Sequence, residues 1–364
     1  PAMADYFSAS LPMVQMGLTT SMIGLALGQI FFGPLSDKYG RRPLLLVSML
    51  LFIVSTLFCL FAPDIYSFVT LRLIQGIAGA GGIVISRSVA IDKFSGKELA
   101  KMLAVIGAIN GVAPVAAPVI GGLLTGSVGW QGIFMILLFI GILLGIGCIR
   151  FKESLPAEKR SKTGVWATFR SFGIIVHNRR YMLYVFQLAF AQGILFAYIA
   201  SSPFIIQQHY GFSPFAFSIC FAVNAVAIGV AAALSVKFRR TENGTLTGCV
   251  GMLVFAVLQM AALYSGCGFW TYELLMFALL FMMGLTFTAS TTLAMDCERR
   301  YAGAASALLG ALCFASGGIV SPLVGLGDIL ISTGVTFVIC AVCSLLCALW
   351  AVKRTGPKVA LCRI

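Results

Sequence analysis

The chain has 364 residues, of which 60% are hydrophobic and only 10% are charged, and its mean hydropathy is +1.00. Soluble globular domains carry about 25% charged residues, so a chain this apolar cannot cover itself with a polar surface in water. These values exclude a soluble domain and predict that the lipid bilayer is the solvent. The net charge of +13 would also fit a nucleic-acid-binding protein. The distribution of the basic residues along the chain distinguishes between these two alternatives.

Apolar runs of membrane length follow one another along the chain and predict an all-α polytopic membrane protein. We count eleven complete spans, each of about 20 residues, at roughly 15–35, 43–62, 67–90, 99–123, 130–150, 181–206, 214–236, 246–265, 270–294, 303–326 and 329–352. Eleven spans would leave the N-terminus outside without a helix to carry it there. We therefore expect a further span before Pro1, giving two six-helix halves with both natural termini in the cytoplasm.

Lysine and arginine concentrate at one set of alternate helix ends. All of the 25 basic residues except Arg72 and Arg87 lie at these ends. The charged groups of the opposite loops are all acidic: Asp5, Asp64, Glu273 and Asp328. This is the positive-inside pattern of membrane proteins, so it places the basic ends in the cytoplasm. The pattern accounts for the net charge, and we expect no nucleic-acid partner.

The longest polar stretch, 151–180, divides the spans into two sets. We predict an N-terminal helical half at 1–150 with its first span truncated, a cytoplasmic linker at 151–180, and a C-terminal helical half at 181–364. Weak internal similarity supports this division, because the segment 33–42 has a degenerate counterpart at 233–240 that keeps a Leu-Ser pair and a basic pair.

The hinge between the first two complete spans carries an unusual mixture of glycines and charges. Glycine permits a tight turn and a close approach of helices, and a carboxylate beside two guanidinium groups can form a charge-assisted latch. The candidate gate residues of this hinge are Gly33, Asp37, Gly40, Arg41 and Arg42. The simpler interpretation is a turn whose basic residues only set the topology.

Arg72 and Gln75 lie inside the third complete span, and Gly76 follows them. Residues spaced by three and four share one face of a helix. A charge inside the membrane is costly and usually faces a partner or a water-filled cavity. The alternative is that Arg72 extends its guanidinium group to the nearby membrane surface.

The span at 99–123 is rich in glycine and proline. These residues bend a helix and let a neighbouring helix pack closely. The motif residues are Gly107, Gly111, Pro114, Pro118, Gly121 and Gly122. A bent packing helix without a special role remains the alternative.

Together these motifs resemble the major facilitator superfamily along the whole chain, and within it the drug:proton antiporters of the bicyclomycin- and chloramphenicol-resistance type. The resemblance implies that Asp92, at the end of the third complete span, joins Asp37 and Arg41 in a gate that holds the outward-open state. It implies that Arg72, with Gln75, tunes a proton-carrying carboxylate of the first span, which we expect upstream of Pro1. The motif at 107–122 is associated with exporters in this superfamily.

Polar side chains inside the spans are few, whereas the chain holds 14 Met and 29 Phe. A cavity lined by Met and aromatic side chains suits varied lipophilic solutes, although most of these residues must face lipid or pack helices. The candidate cavity residues are Asn110, Gln187, Gln192 and Asn224. Because all twelve acids lie in loops or at span ends, we expect this chain to lack its proton carrier.

The predicted function is secondary active efflux of small amphipathic drugs by proton antiport through alternating access. The alternative is an exporter of a specific metabolite, such as a sugar, nucleoside or amino acid derivative. We expect a transporter rather than an enzyme, with no catalytic residue, metal or cofactor, driven by the proton gradient. We expect the protein to be a monomer in the bacterial inner membrane, with protons, lipid and a small lipophilic or amphipathic substrate as partners.

Overall fold

The computed structural model describes residues 2–94, 96–160, 172–235, 237–238, 240–298 and 302–353, and the described residues form helices and loops without a β-strand. The helices are α1 Ala2–Phe7, α2 Leu11–Tyr39, α3 Arg41–Leu60, α4 Ile65–Lys93, α5 Gly96–Arg150, α6 Arg179–Phe204, α7 Pro214–Ser235, α8 Thr241–Tyr264, α9 Phe269–Cys297, α10 Ala302–Leu323 and α11 Ile329–Lys353. A short helix at 172–177 precedes α6.

Within the described residues, 10 helices are long and apolar enough to cross a membrane. The predicted spans at 99–123 and 130–150 both lie in α5, which is broken at Gly129, where φ is 65° and ψ is −177°. The backbone of 99–123 is helical, but most of its side chains lie outside the described part of the chain. The predicted all-α, multi-span fold is therefore confirmed.

Long apolar side chains cover the outside of the bundle. Leu50, Phe139, Leu274 and Trp350 are each more than half exposed. In water such a surface would favour aggregation, but in a bilayer it faces the acyl chains at no cost, because those chains are as apolar as the side chains themselves.

Helices α2 and α4 approach so closely that their backbones touch. A Cβ atom added to Gly76 would collide with the carbonyl oxygen of Ser21, and one added to Gly24 would collide with that of Leu73. Small residues permit this approach between membrane helices. The contact fixes Arg72, one turn before Gly76, against α2.

In the second part of the chain, α6 is almost completely enclosed. It packs against α9, α10 and α11, and its centre contributes Ile194, Ala197 and Tyr198 to a core that also contains Met252 and Phe337. Polar side chains on α6 must therefore find partners inside the bundle rather than in lipid or water.

Helices from the two parts of the chain meet along two pairs, α2 with α10 and α5 with α7. Polar contacts supplement them: Gln15 Nε2 donates to Ala200 O at 3.4 Å, and Arg87 Nη1 donates to Ser306 Oγ at 3.0 Å. The division into 1–150, 151–180 and 181–364 stays a prediction, because residues 161–171 of the linker lie outside the described residues.

Candidate functional site

Arg41 lies at the centre of a charged network at the corner between α2 and α3, close to the basic helix ends. Its Nη1 contacts Asp37 Oδ1 at 2.5 Å and Ser36 Oγ at 2.7 Å. Its Nε contacts Asp92 Oδ2, at the end of α4, at 2.9 Å. Arg41 is only 6% exposed. Such charge-assisted bonds are shorter and stronger than neutral ones, so Arg41 joins three helices at one point.

Gly40 is the single residue between α2 and α3. Its φ of 102° and ψ of 158° lie in a region that is essentially restricted to glycine. A Cβ atom at this position would also stand 2.5 Å from Glu153 Oε2. The backbone therefore requires glycine here, both for its conformation and for the approach of the linker.

Glu153, a residue that the sequence analysis missed, completes this corner. Its Oε1 accepts the backbone N–H of Arg41 at 2.9 Å, and its Oε2 accepts that of Arg42 at 3.2 Å. These are orphan donors of the first turn of α3, which has no side-chain cap of its own. We call Asp37, Arg41, Asp92 and Glu153 the hinge cluster.

The linker is held to the hinge cluster by further contacts. Arg160 Nη2 lies 3.7 Å from Glu153 Oε2, and Ser154 Oγ donates to Asp92 Oδ2 at 3.1 Å. Partial burial raises the pKa of Glu153, but the N–H groups of Leu155, Arg41 and Arg42 and the charge of Arg160 outweigh it, so this pKa lies below its ordinary value. The carboxylate is therefore held in its charged form.

The remaining predicted gate residues take less part in this network. Arg42 Nη2 donates to the carbonyl of Ile149 at 3.0 Å, which ties α3 to the end of α5. Gly33 lies almost two turns before Gly40, and a Cβ atom there would only make ordinary contact with Val84 at 3.7 Å. The structure thus brings five of the predicted positions together around Arg41 and leaves Gly33 apart.

Arg72 binds polar groups of α2 and α4. It donates to Gln75 Oε1, to Ser21 Oγ at 3.0 Å and to the carbonyl of Gly17 at 3.3 Å. Gln75 in turn donates to Thr56 Oγ1 at 2.6 Å. Among the residues that the structure describes, no carboxylate forms an ion pair with Arg72. Neutral dipoles of α2 and α4 therefore hold a positive charge inside a membrane helix.

The glycine- and proline-rich motif is only partly visible in the structure. The side-chain environments of Gly107, Asn110, Gly111, Pro114 and Pro118 lie outside the described part of the chain. A Cβ atom added to Gly122 would collide with Ser218 Oγ and stand 3.3 Å from the carbonyl of Pro214, whereas one added to Gly121 would meet no atom within 4 Å. Gly122 therefore marks the contact between α5 and α7.

The predicted cavity residues divide into different environments. Gln187 is completely buried, and its Nε2 contacts Ser344 Oγ at 3.2 Å and Cys249 Sγ at 3.5 Å. This position between α6, α8 and α11 favours helix packing over cavity lining. Gln192 is 8% exposed, and its Oε1 has no hydrogen-bond partner in the described part of the chain. Asn224 contacts the carboxyl group of Glu273.

Glu273 lies near the start of α9, in agreement with the expectation that acids lie in loops or at span ends. It stands about one turn inside α9, and its Oε1 accepts Asn224 Nδ2 at 2.8 Å. The position near the end of the span was recognised, but the orientation of the side chain into the bundle was not. Within the described residues, no group of three or more His, Cys, Asp and Glu side chains could hold a metal ion.

These features define a polytopic membrane protein with a buried arginine at a helix corner and a partly buried arginine inside a span. The chain belongs to the major facilitator superfamily, whose family model matches residues 1–322. This confirms the family and fold expected from the hinge and span motifs.

Two relatives and one solved structure illustrate the similarity. The chain is 38% identical over 335 residues to the uncharacterized MFS-type transporter YdgK of Bacillus subtilis, covering 90% of this chain and 83% of the relative. It is 29% identical over 325 residues to a bicyclomycin resistance protein homolog of Haemophilus influenzae, covering 85% and 79%. A bacterial homolog of the human lysosomal transporter Spinster matches with a TM-score of 0.76 at 18% identity, covering 97% of this chain and 92% of that chain.

Proposed function

We propose that this protein exports small amphipathic drugs across the bacterial inner membrane in exchange for protons, by alternating access between two helical halves. The observation that carries the proposal is that neutral groups of α2 and α4 hold the guanidinium group of Arg72, which forms no ion pair with a carboxylate among the described residues. The drug class comes from the relative named as a bicyclomycin resistance protein homolog and from the resemblance of the motifs to drug:proton antiporters.

A fixed guanidinium group inside the bundle favours the ionised form of a nearby carboxyl group. Arg72 and Gln75 are therefore suited to tune a membrane-embedded acid so that it releases its proton in one conformation and binds one in the other. In the drug:proton antiporters that the chain resembles, that acid lies in the first span. No metal or cofactor takes part in this scheme, which is driven by the proton gradient.

The hinge cluster serves as the conformational gate in this proposal. Arg41 on α3 binds acids at the ends of α2 and α4, so a change in the angles between these three helices during alternating access would strain or release several charge-assisted bonds together. Cooperative breakage of this kind gives two discrete arrangements rather than a continuous range. Gly33 and Arg42 border the cluster and support its geometry.

The substrate is a small lipophilic or amphipathic molecule bound between the halves of a monomer, near Gln192 and Asn110. Major facilitator transporters place their site near the bilayer midplane at this interface. The exporter direction rests on the motif at 107–122. Both natural termini lie in the cytoplasm, because the basic helix ends face that side by the positive-inside rule.

The test is drug-triggered proton movement in liposomes that contain the full-length protein and a pH-sensitive dye. We expect proton release when chloramphenicol or a lipophilic cation is added, abolished by a protonophore and independent of ATP. Arg72→Ala should abolish the response, whereas Arg179→Ala, which removes an exposed arginine, should leave it unchanged. Folded protein that responds to no drug in a broad panel would favour export of a specific metabolite instead.

A further inference from the structure

Four polar side chains from α6, α7 and α9 meet inside the second half, and we call them the Glu273 cluster: Tyr198, Asn224, Tyr272 and Glu273. Asn224 Nδ2 donates to Glu273 Oε1 at 2.8 Å and to Tyr198 Oη at 3.0 Å. The Tyr198 ring stacks on Phe221, with centroids 5.0 Å apart and ring planes 16° apart. The cluster is thus fixed by hydrogen bonds and aromatic packing on three helices.

Several polar atoms of this cluster have unused hydrogen-bonding capacity. Glu273 Oε2, Asn224 Oδ1 and Tyr272 Oη are buried and have no hydrogen-bond partner among the described residues. Asn224 is 1% exposed and Tyr272 is completely buried. Buried polar atoms in native proteins are almost always paired. Several unpaired atoms in one cluster therefore indicate a binding site for a species that forms hydrogen bonds.

The charge of an ionised Glu273 would have little compensation. The ion pairs of Arg41 with Asp37 and Asp92, and of Arg160 with Glu153, lie at the basic helix ends and not beside Glu273. The titratable groups that face Glu273 are Tyr198 from α6, Cys220 from α7 and Tyr272 from α9. None of these is a cation, and Asn224 is the one donor that the described residues supply to the carboxyl group.

We propose that Glu273 is a proton-binding site of the second half, and that its carboxyl group is protonated at Oε2 in the conformation described here. A buried carboxylate without a cation is costly and neutralises by binding a proton. Protonation removes the charge and turns Oε2 from an unpaired acceptor into a donor. A proton needs no cavity. Glu273 as a whole is only partly buried, so a proton can reach the carboxyl group from the end of α9.

The position of Asn224 links this site to movement between the halves. Asn224 lies on α7, and the same helix contacts α5 through Ser218 and Gly122. A shift of α7 relative to α9 would break the bond from Asn224 to Glu273 and remove the one donor that favours the ionised form. Proton affinity at Glu273 would then depend on the conformation, which is the requirement for coupling a proton to transport. Proton binding itself does not rest on drug export.

The proposal is tested by infrared titration of the purified protein in nanodiscs, following the C=O stretching band of neutral carboxyl groups. At neutral pH we expect such a band in the wild type and its loss in Glu273→Gln, which keeps the shape of the side chain. Glu98→Gln, an exposed acid at a basic helix end, should leave the band unchanged. A band that is absent at neutral pH, or that survives in Glu273→Gln, would overturn the proposal.

A second variant keeps the test independent of folding defects in Glu273→Gln. Asn224→Leu retains Glu273 but removes its donor, so the neutral band should persist to higher pH than in the wild type. An unchanged titration in a folded Asn224→Leu protein would also contradict the proposal. Because no substrate enters these measurements, a protein that exports no drug would overturn the proposed function while leaving the proton site to be decided by the spectra.

Discussion

Glu153 accepts the backbone N–H of Arg41 at 2.9 Å across 112 positions of sequence. A carboxylate at the start of a helix satisfies orphan N–H groups and interacts favourably with the helix dipole. The linker that leaves the first half therefore supplies the cap that α3 lacks. The hinge therefore consists of three parts in contact: the corner between α2 and α3, the end of α4, and the start of the linker.

The first prediction concerns the pH dependence of this cap. The pKa of Glu153 lies below its ordinary value because backbone N–H groups and Arg160 outweigh the effect of burial. Its stabilisation is then present above the pKa of the unfolded chain, about 4.3, and is lost as pH falls through the lower folded pKa. Glu153→Gln should lower the thermal midpoint at neutral pH, and the difference from wild type should shrink in acid.

Glu158→Gln is the control for this pH series, because Glu158 is an exposed acid of the same linker. Its thermal midpoint should follow that of the wild type at every pH. A difference between wild type and Glu153→Gln that stays constant from neutral to acid pH would contradict the assigned role of the charge.

The second prediction concerns Gly40. Gly40→Ala must place a side chain at a φ of 102° and beside Glu153 Oε2, so we expect it to lower the free energy of unfolding by about 1–3 kcal/mol. Gly147→Ala is the matched control, because Gly147 lies in α5 and a Cβ atom there meets nothing within 4 Å. Thermal unfolding in detergent measures both, and equal midpoints for the two variants would contradict the argument.

The third prediction concerns the approach of α2 and α4. Gly76→Ala would force the helices apart, because the new Cβ atom collides with the Ser21 carbonyl, whereas Gly79→Ala would only touch Leu25 at 3.7 Å. We expect Gly76→Ala to cost roughly 1–3 kcal/mol through overpacking and to reduce transport by displacing Arg72. Gly79→Ala should resemble the wild type in thermal unfolding and in transport, and similar losses in both variants would refute this reasoning.

The fourth prediction concerns Arg41. Arg41→Lys keeps the charge but cannot reproduce the separate bonds from Nε to Asp92 and from Nη1 to Asp37, because lysine presents one compact ammonium group. We expect it to destabilise the protein by about 2 kcal/mol and to slow transport. Lys152→Ala, which removes an exposed linker charge, should do neither. Wild-type transport rates in Arg41→Lys would show that charge alone is sufficient.

Much of the fold could be predicted because a membrane imposes strong rules. Backbone groups in lipid must be satisfied within each segment, so apolar runs of sufficient length become helices, and their order follows the sequence directly. The hinge contact could also be predicted, since Asp37 and Arg41 are only four positions apart in the sequence.

Glu153 and the orientation of Glu273 could not be derived in the same way. The bond from Glu153 to Arg41 joins residues 112 positions apart, and sequence gives no distance between a linker and a helix start. One signal existed: α3 begins without a capping side chain, which requires an acceptor from elsewhere. For Glu273, the end of an apolar run does not reveal which way a side chain points, and only the contact with Asn224 decides it.

The contacts of Glu153 also determine where the linker between the halves can change in length. Arg41, Arg42 and Arg160 bind this residue. The start of the linker is therefore attached to the first half. Residues inserted in the turn at Ala157–Lys159 would move Arg160 away but leave the bonds from Arg41 and Arg42 to Glu153 in place. Residues inserted between Arg150 and Glu153 would instead displace the carboxylate from the start of α3. The length of this short segment therefore determines whether Glu153 can reach the end of the first half.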